Sequence, residues 1–343
     1  WSFIMQLLRR RAYARAGLVG NPSDGYNGRT VSFIIRDLWA EVVLYEWDEI
    51  EILWSSEDQS RFQSIHDLAS DVRLHGYYGG VRLVKATIKR FVEYCDSQKI
   101  TLHGRNFSIR YQSNIPRNVG LAGSSAIIVS TLRALMDFYE VQIPLQIQPS
   151  LALSVETREL GITGGLQDRV IQCYEGLVSM DFSRDKMTSQ NGYECGVYER
   201  LDPALLKNVY VAYCDELGEP TEVFHNNLRQ RYDRGDADVV GAMQTFADLA
   251  RDARVAILNQ DAATLSKLID KNFDTRRSIC QLLPGHIEMI ERARSVGASA
   301  KFAGSGGAIV GTYADEAMFA SLQRELGKIR CVVFKPTIQP KSA

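Results

Sequence analysis

The stretch Pro116 to Ala126, PRNVGLAGSSA, constrains this chain more than any other. Before it, Phe107, Ile109 and Tyr111 alternate with Ser108, Arg110 and Gln112, the two-residue period of a half-buried strand. After it, Ile128, Leu132, Leu135 and Met136 recur at helical spacing. A strand that passes through a glycine loop into a helix start forms an anion cradle. Glycines let the backbone approach an anion, the first-turn N–H groups lack intrahelical acceptors, and the helix dipole favours negative charge there. Ser124 and Ser125 add two hydroxyls at the helix start, one able to cap and one able to reach a metal ion. A plain capped helix would use the same residues. Walker-type chemistry is disfavoured, because GxxxxGK[ST] is absent and the loop carries no lysine.

Three further clusters bear on chemistry. Lys301 to Gly311, KFAGSGGAIVG, is followed by a strand pattern and not by a helix, which argues against a dinucleotide fingerprint. It is either a tight turn between strands or a second backbone clamp over a phosphate. GITGGLQDR, Gly161 to Arg169, places Asp168 just past a glycine turn, with Glu156 and Glu159 upstream in the helical pattern LALSVETREL. A carboxylate beside a phosphate cradle can orient a hydroxyl nucleophile, and another can hold Mg²⁺; a solvated surface acid is the plainer reading of each. ARAGLVGNPSDGYNG, Ala14 to Gly28, interrupts an apolar strand with Arg15, Asn21, Ser23 and Asp24. That turn is a simple hairpin or a set of hydrogen-bond partners for a polyol.

The chain has 343 residues, 45% hydrophobic and 24% charged, enough for a sizeable core and two domains. With 40 basic against 41 acidic residues it has no global field for nucleic acid or an anionic membrane, and neither partner is expected. The six cysteines are scattered, without CxxC pairs or histidines at zinc-finger spacing, which suits reduced thiols in a cytoplasmic protein. The opening WSFIMQLLRRR has the reverse of a signal peptide's charge order and is too short to span a bilayer. Short strands are expected at Val31 to Ile35 and Ala40 to Tyr45, and a helix at Val81 to Cys95. Beyond Leu201 a strand at Val209 to Cys214 precedes long helical patterns. After Pro284 the order helix, strand, glycine turn, strand, helix, strand gives a split βαβ pattern. The fold class is α+β, with domains expected at 9–202 and 203–338.

Taken together, these motifs resemble the GHMP kinases, the family of galactokinase, homoserine kinase and mevalonate kinase. RAGLVGNPSD, the PxxxGLxxSSA loop and the KFAGSGGA turn stand in the family's order. Within it, NPSDGYNGRTVSF, HGYYGGVRL, GLQDR, YEGLVSMDFS and NFDTRR resemble the plant-type glucuronokinases. Gly20 to Asp24 departs from the GEHxD pattern of galactokinase, and Arg15 stands where mevalonate-type enzymes usually have Lys. The resemblance implies a ribosomal-protein-S5-like N-terminal domain and a ferredoxin-like C-terminal domain. It implies ATP and Mg²⁺ as cofactors and a sugar as acceptor: D-glucuronate at its anomeric hydroxyl, or else galacturonate or a heptose phosphate. A non-catalytic sensor on the same fold is the remaining alternative.

Carried over by position, the resemblance makes Asp168 the catalytic carboxylate and Arg15 the stabiliser of the transferring phosphoryl. Pro116, Gly120, Leu121, Ala122, Gly123, Ser124, Ser125 and Ala126 would form the phosphate loop. Gly304, Ser305 and Gly306 would close over it. Ser125 and Glu156 would hold Mg²⁺, with Glu159 as the rival of Glu156. Asn21, Ser23, Asp24 and Tyr78 would meet the sugar, and Arg82 or Arg169 its carboxylate. Oligomeric state is not legible.

Overall fold

A computed structural model of the chain describes residues 7–53, 79–214 and 228–339. Its first sheet is organised by one long strand. The apolar runs on either side of Arg36 to Leu38, expected as two strands, form a single β2 (Arg29–Trp47). Its partner β1 (Leu8–Val19) accommodates the interruption by a shift in register, with Tyr13 opposite Trp39 but Ala14 opposite Ile35. The polar Arg36 and Asp37 thereby leave the ladder without ending the strand, as a bulge allows. Arg36 then reaches the Glu175 carboxylate at 3.0 Å.

The two halves of β2 serve different neighbours. Residues 40–47 pair with β4 (Asn106–Ser113), and 29–33 pair with β5 (Leu177–Asp181). The sheet order is β3-β4-β2-β5-β8, with β1 also on β2, where β3 is Glu51–Ile52 and β8 is Val197–Leu201. A small hairpin, β6 (Thr188–Gln190) and β7 (Tyr193–Cys195), stands apart. Among the described residues four helices accompany this sheet: α1 (Gly80–Ser97), α2 (Gly123–Phe138), α3 (Gln148–Ser154) and α4 (Gln167–Tyr174). Among them α2 packs on both β1 and β2, burying Ile128, Leu132 and Leu135.

The second sheet contains β9 (Val209–Tyr213), β10 (Lys301–Phe302), β11 (Ala308–Thr312) and β12 (Val332–Phe334) in the order β10-β11-β9-β12. Each neighbour is antiparallel, so β10 runs parallel to β9 with β11 between them. This is the split βαβ arrangement of a ferredoxin-like sheet. Its helices are α5 (Ala237–Leu258), α6 (Ala262–Ile279), α7 (Pro284–Ser295) and α8 (Glu316–Gly327). The apolar core does not stop between the sheets. One cluster joins Val42 and Ile128 to Val211, Ala253 and Val310, and a second, with Tyr210, Ile290 and Leu322, lies under the second sheet. No described helix is long and apolar enough to cross a membrane.

Close backbone packing at β11 gives a test of the second sheet. A Cβ on Gly311 would stand 1.7 Å from the Ser299 carbonyl oxygen, which Tyr210 also holds through a 2.9 Å hydrogen bond. Backbone cannot yield as a side-chain tip can, so Gly311→Ala is expected to cost about 2–3 kcal/mol of stability in chemical denaturation. A change within experimental error would refute this packing.

Candidate active site

The site is assembled around Arg15. This residue lies mid-strand in β1, opposite Ile34, and is only 5% exposed. Its backbone N–H donates to the Leu121 carbonyl at 3.2 Å. Its guanidinium donates to Asp168 Oδ1 (2.6 Å), to the Gly120 carbonyl (2.6 Å) and to the Ala303 carbonyl (3.2 Å). One side chain therefore holds the phosphate loop, the Gly161 to Arg169 turn and the Lys301 to Gly311 turn together. Beside that guanidinium the two glycine turns meet backbone to backbone. A Cβ on Gly304 would lie 2.1 Å from the Gly120 carbonyl oxygen, and one on Gly307 2.9 Å from Val119 Cα. Gly120, at φ +71°, needs glycine on both conformational and steric grounds.

The helix start after this loop differs from the expected capped form. The residue preceding α2 is Ala122, in the left-handed region at φ 64°, and no side chain caps the helix. Both serines look elsewhere: Ser125 Oγ donates to the Ala122 carbonyl (3.2 Å), and Ser124 Oγ donates to Glu156 (2.9 Å). Gln172, fully buried, steadies the same Ala122 carbonyl at 2.9 Å and the Tyr13 carbonyl at 3.1 Å. Leu121 and Ala126 point into the core, while Pro116 leads into the loop, half-buried. Gly123 is roomy by comparison, since a Cβ there would make only an ordinary contact with Ile115 at 3.5 Å.

Carboxylates line the opposite side. After α3 the chain makes one wider turn, Val155–Glu159, of the π type. That turn sends its two acids apart. Glu156, 1% exposed, meets Ser124 and an Arg169 guanidinium N–H, whereas Glu159 pairs with Lys89 of α1 at 2.6 Å. A regular helical reading cannot separate the two; the π turn does. Arg169 also donates to the Gly165 carbonyl (2.8 Å) and lies 3.6 Å from Asp168. Asp168 sits in the first turn of α4. Burial opposes its ionisation, but the charges of Arg15 and Arg169 outweigh burial and hold it below the usual carboxylate range.

Asp24 behaves in the opposite way. It lies on the short turn Ser23–Tyr26 and accepts the Gln167 N–H at 3.3 Å. A Cβ on Gly165 would fall 1.9 Å from its Oδ2, so that glycine is what admits the carboxylate. Burial, and next the charge of Asp168, push Asp24 up to about 6 against the opposing pull of Arg15 and Arg169. Of the other residues expected near the sugar, Asn21 accepts from Lys301 and Ser23 donates to the Arg29 carbonyl, so both serve to shape the turn. Tyr78 lies outside the described residues. Arg82 stands exposed in the first turn of α1.

Three buried residues stand in stretches quoted above but receive no role from the sequence. Asn272 and Arg276, one turn apart on α6, hold opposite sides of the site: Asn272 takes the Gly20 N–H at 2.6 Å, and Arg276 donates to the Gly304 and Ser305 carbonyls. Lys301 donates to the carbonyls of Gly17 and Phe302 and to Asn21 Oδ1. Burial, with the Arg276 and Arg15 charges, pushes its amine well below the ordinary lysine range. The available signal was the polar pair at i, i+4 set among Ile269 and Phe273 on a buried helix face.

The fold and this constellation define a class. A family model described as GHMP kinases N terminal domain matches residues 82–176, and the chain belongs to the GHMP kinase family. It is 44% identical over 310 residues to Glucuronokinase 1 of Arabidopsis thaliana, covering 88% of this chain and 84% of that protein. Probable glucuronokinase 2 of the same plant is 43% identical, over 89% of this chain and 84% of its own. In fold, the chain superimposes on Streptococcus pneumoniae phosphomevalonate kinase with a TM-score of 0.74 at 13% identity, covering 96% of this chain and 99% of that one.

The raised Asp24 has a measurable signature. Between about pH 4 and pH 6 the unfolded carboxyl is ionised while the folded one keeps its proton, so stability falls across that window and the penalty stays constant above it. Asp24→Asn, which still accepts from Gln167, should raise stability above pH 6 by on the order of 1–2 kcal/mol and leave it unchanged below pH 4. Thermal melts at pH 4 and 7.5 check this; a variant less stable than wild type at pH 7.5 would overturn it.

Proposed function

We propose that this protein transfers the γ-phosphoryl of ATP to the anomeric hydroxyl of D-glucuronate, giving D-glucuronate 1-phosphate and ADP. The observation that carries the reading is the Arg15–Asp168 pair, 2.6 Å long, at the point where the two glycine turns meet. The likeness to plant glucuronokinases over most of both chains supports the choice of sugar. In this reading residues 9–202 carry the phosphate loop, and 203–338 supply the turn that closes over it.

Phosphoryl transfer asks for positioning and charge stabilisation more than for covalent help. The loop amides after Ala122 and the N–H groups of the Gly304 to Gly306 turn cradle the phosphates. Arg15 stabilises charge on the transferring group. Asp168, held acidic by two arginines, is a weak base in the ground state. Its task is to orient the acceptor hydroxyl and to take the proton late, once bonding to phosphorus has made that hydroxyl acidic. Asp24 hydrogen-bonds the sugar ring. Arg82 and Arg169, the latter already paired with Glu156, are our two candidates for the sugar's carboxylate.

Glu156 with the hydroxyls of Ser124 and Ser125 is an oxygen-only donor set of the kind that suits Mg²⁺ shared with phosphates. When bound, Mg²⁺ would neutralise phosphate charge there.

Two experiments test the reading. Asp168→Asn keeps size but loses charge and proton acceptor, so kcat for glucuronate should fall on the order of 10² to 10⁴-fold with little change in ATP affinity. A folded variant with wild-type kcat would remove Asp168 from the chemistry, and turnover of other sugars in preference to glucuronate would overturn the substrate. Gly123→Ala adds a methyl that the protein itself tolerates. It should melt like wild type yet bind ATP at least about tenfold more weakly, because only the nucleotide's phosphates need that space.

A further inference from the structure

Arg276 is buried, 3% exposed. Its Nη1 and Nη2 donate to the carbonyls of Gly304 and Ser305, both at 2.6 Å. A trans peptide group is planar, with its C=O and N–H pointing in opposite directions. Fixing these two carbonyls toward α6 therefore turns the N–H groups of Ser305 and Gly306 the other way. That other side is the phosphate loop: a Cβ on Gly120 would lie 2.8 Å from Ser305 N and 2.9 Å from Ser305 Oγ. A bond from a charged donor also polarises the peptide, which strengthens its N–H as a donor.

The grip is braced on every side. The guanidinium lies 4.9 Å over the Phe302 ring, and Phe273 of the same helix packs edge-on to that ring at 5.3 Å. His286 backs Gly306, where a Cβ would come within 2.6 Å of the imidazole. One turn earlier, Asn272 fixes α6 to Gly20 and Asn21. These contacts tie the helix both to the turn and to the Gly20–Asn21 segment.

We propose that Arg276 is a positioning residue for the nucleotide's terminal phosphates: it aims and polarises the Ser305 and Gly306 amides without touching the nucleotide. The proposal rests on the ATP-dependent reading above. A merely structural strap would weaken every ligand alike, or none. An aiming device acts on ligands that carry a β-phosphate.

The test is calorimetry of the full chain with Mg²⁺-ADP and with AMP, on wild type, Arg276→Met and Arg276→Lys, beside thermal melts and KM for ATP and glucuronate. Arg276→Met should weaken ADP about tenfold or more and AMP less than about twofold, with KM for ATP rising while that for glucuronate holds. Arg276→Lys, able to hold one carbonyl, should fall between; if the Met variant does not fold, the Lys variant decides. Equal losses for ADP and AMP, or none, overturn the proposal. Wild-type protein that binds neither ADP nor ATP sinks the kinase reading and this inference with it.

Discussion

Burying a guanidinium is costly unless its donors are met, and the way Arg15 meets them determines the site. Its three acceptors lie on three segments far apart in sequence: Gly120, Asp168 and Ala303. Displacing the Gly120 or Ala303 segment removes an acceptor from the buried guanidinium, and displacing Asp168 leaves its charge unpaired. The close backbone approach of Gly120 and Gly304 follows from the same constraint, because both carry atoms that converge on one side chain.

Charge is arranged in depth around that point. Arg15 and Arg169 face Asp168, Glu156 and Asp24, while Arg276 and Lys301 lie behind the second glycine turn and donate to carbonyl oxygens. Lys301 is close enough to Arg276 and Arg15 to feel their repulsion. Such a concentration of positive charge is expensive in an apolar interior and favourable where polyphosphate is bound, because the field is already oriented before the ligand arrives.

Much of this was legible in the sequence. Glycine loops announce themselves because few residues substitute for glycine in them, and the alternation into β4 and the helical period of α2 located the first loop between its flanking elements. The order of elements after Pro284 gave the second sheet's split βαβ form. Other features depended on contacts that spacing does not encode. The Arg36 to Leu38 interruption suggested two strands because a bulge's partner shift is invisible in one strand's own residues. Glu156 and Glu159 could not be told apart because a π turn adds a residue that helical counting does not anticipate. Asn272, Arg276 and Lys301 act on backbone carbonyls and amides, which leave no side-chain signature at the other end.

The apolar core that runs from Val42 and Ile128 through Val211 to Val310 has a consequence for how such a chain diversifies. Although the strands divide cleanly into two sheets, with β8 ending at Leu201 and β9 beginning at Val209, the halves share one interior. Exchange of halves between related chains would have to match that interior atom for atom. Changes in exposed turns and rim residues would leave that shared interior intact, whereas recombining lobes would disturb it.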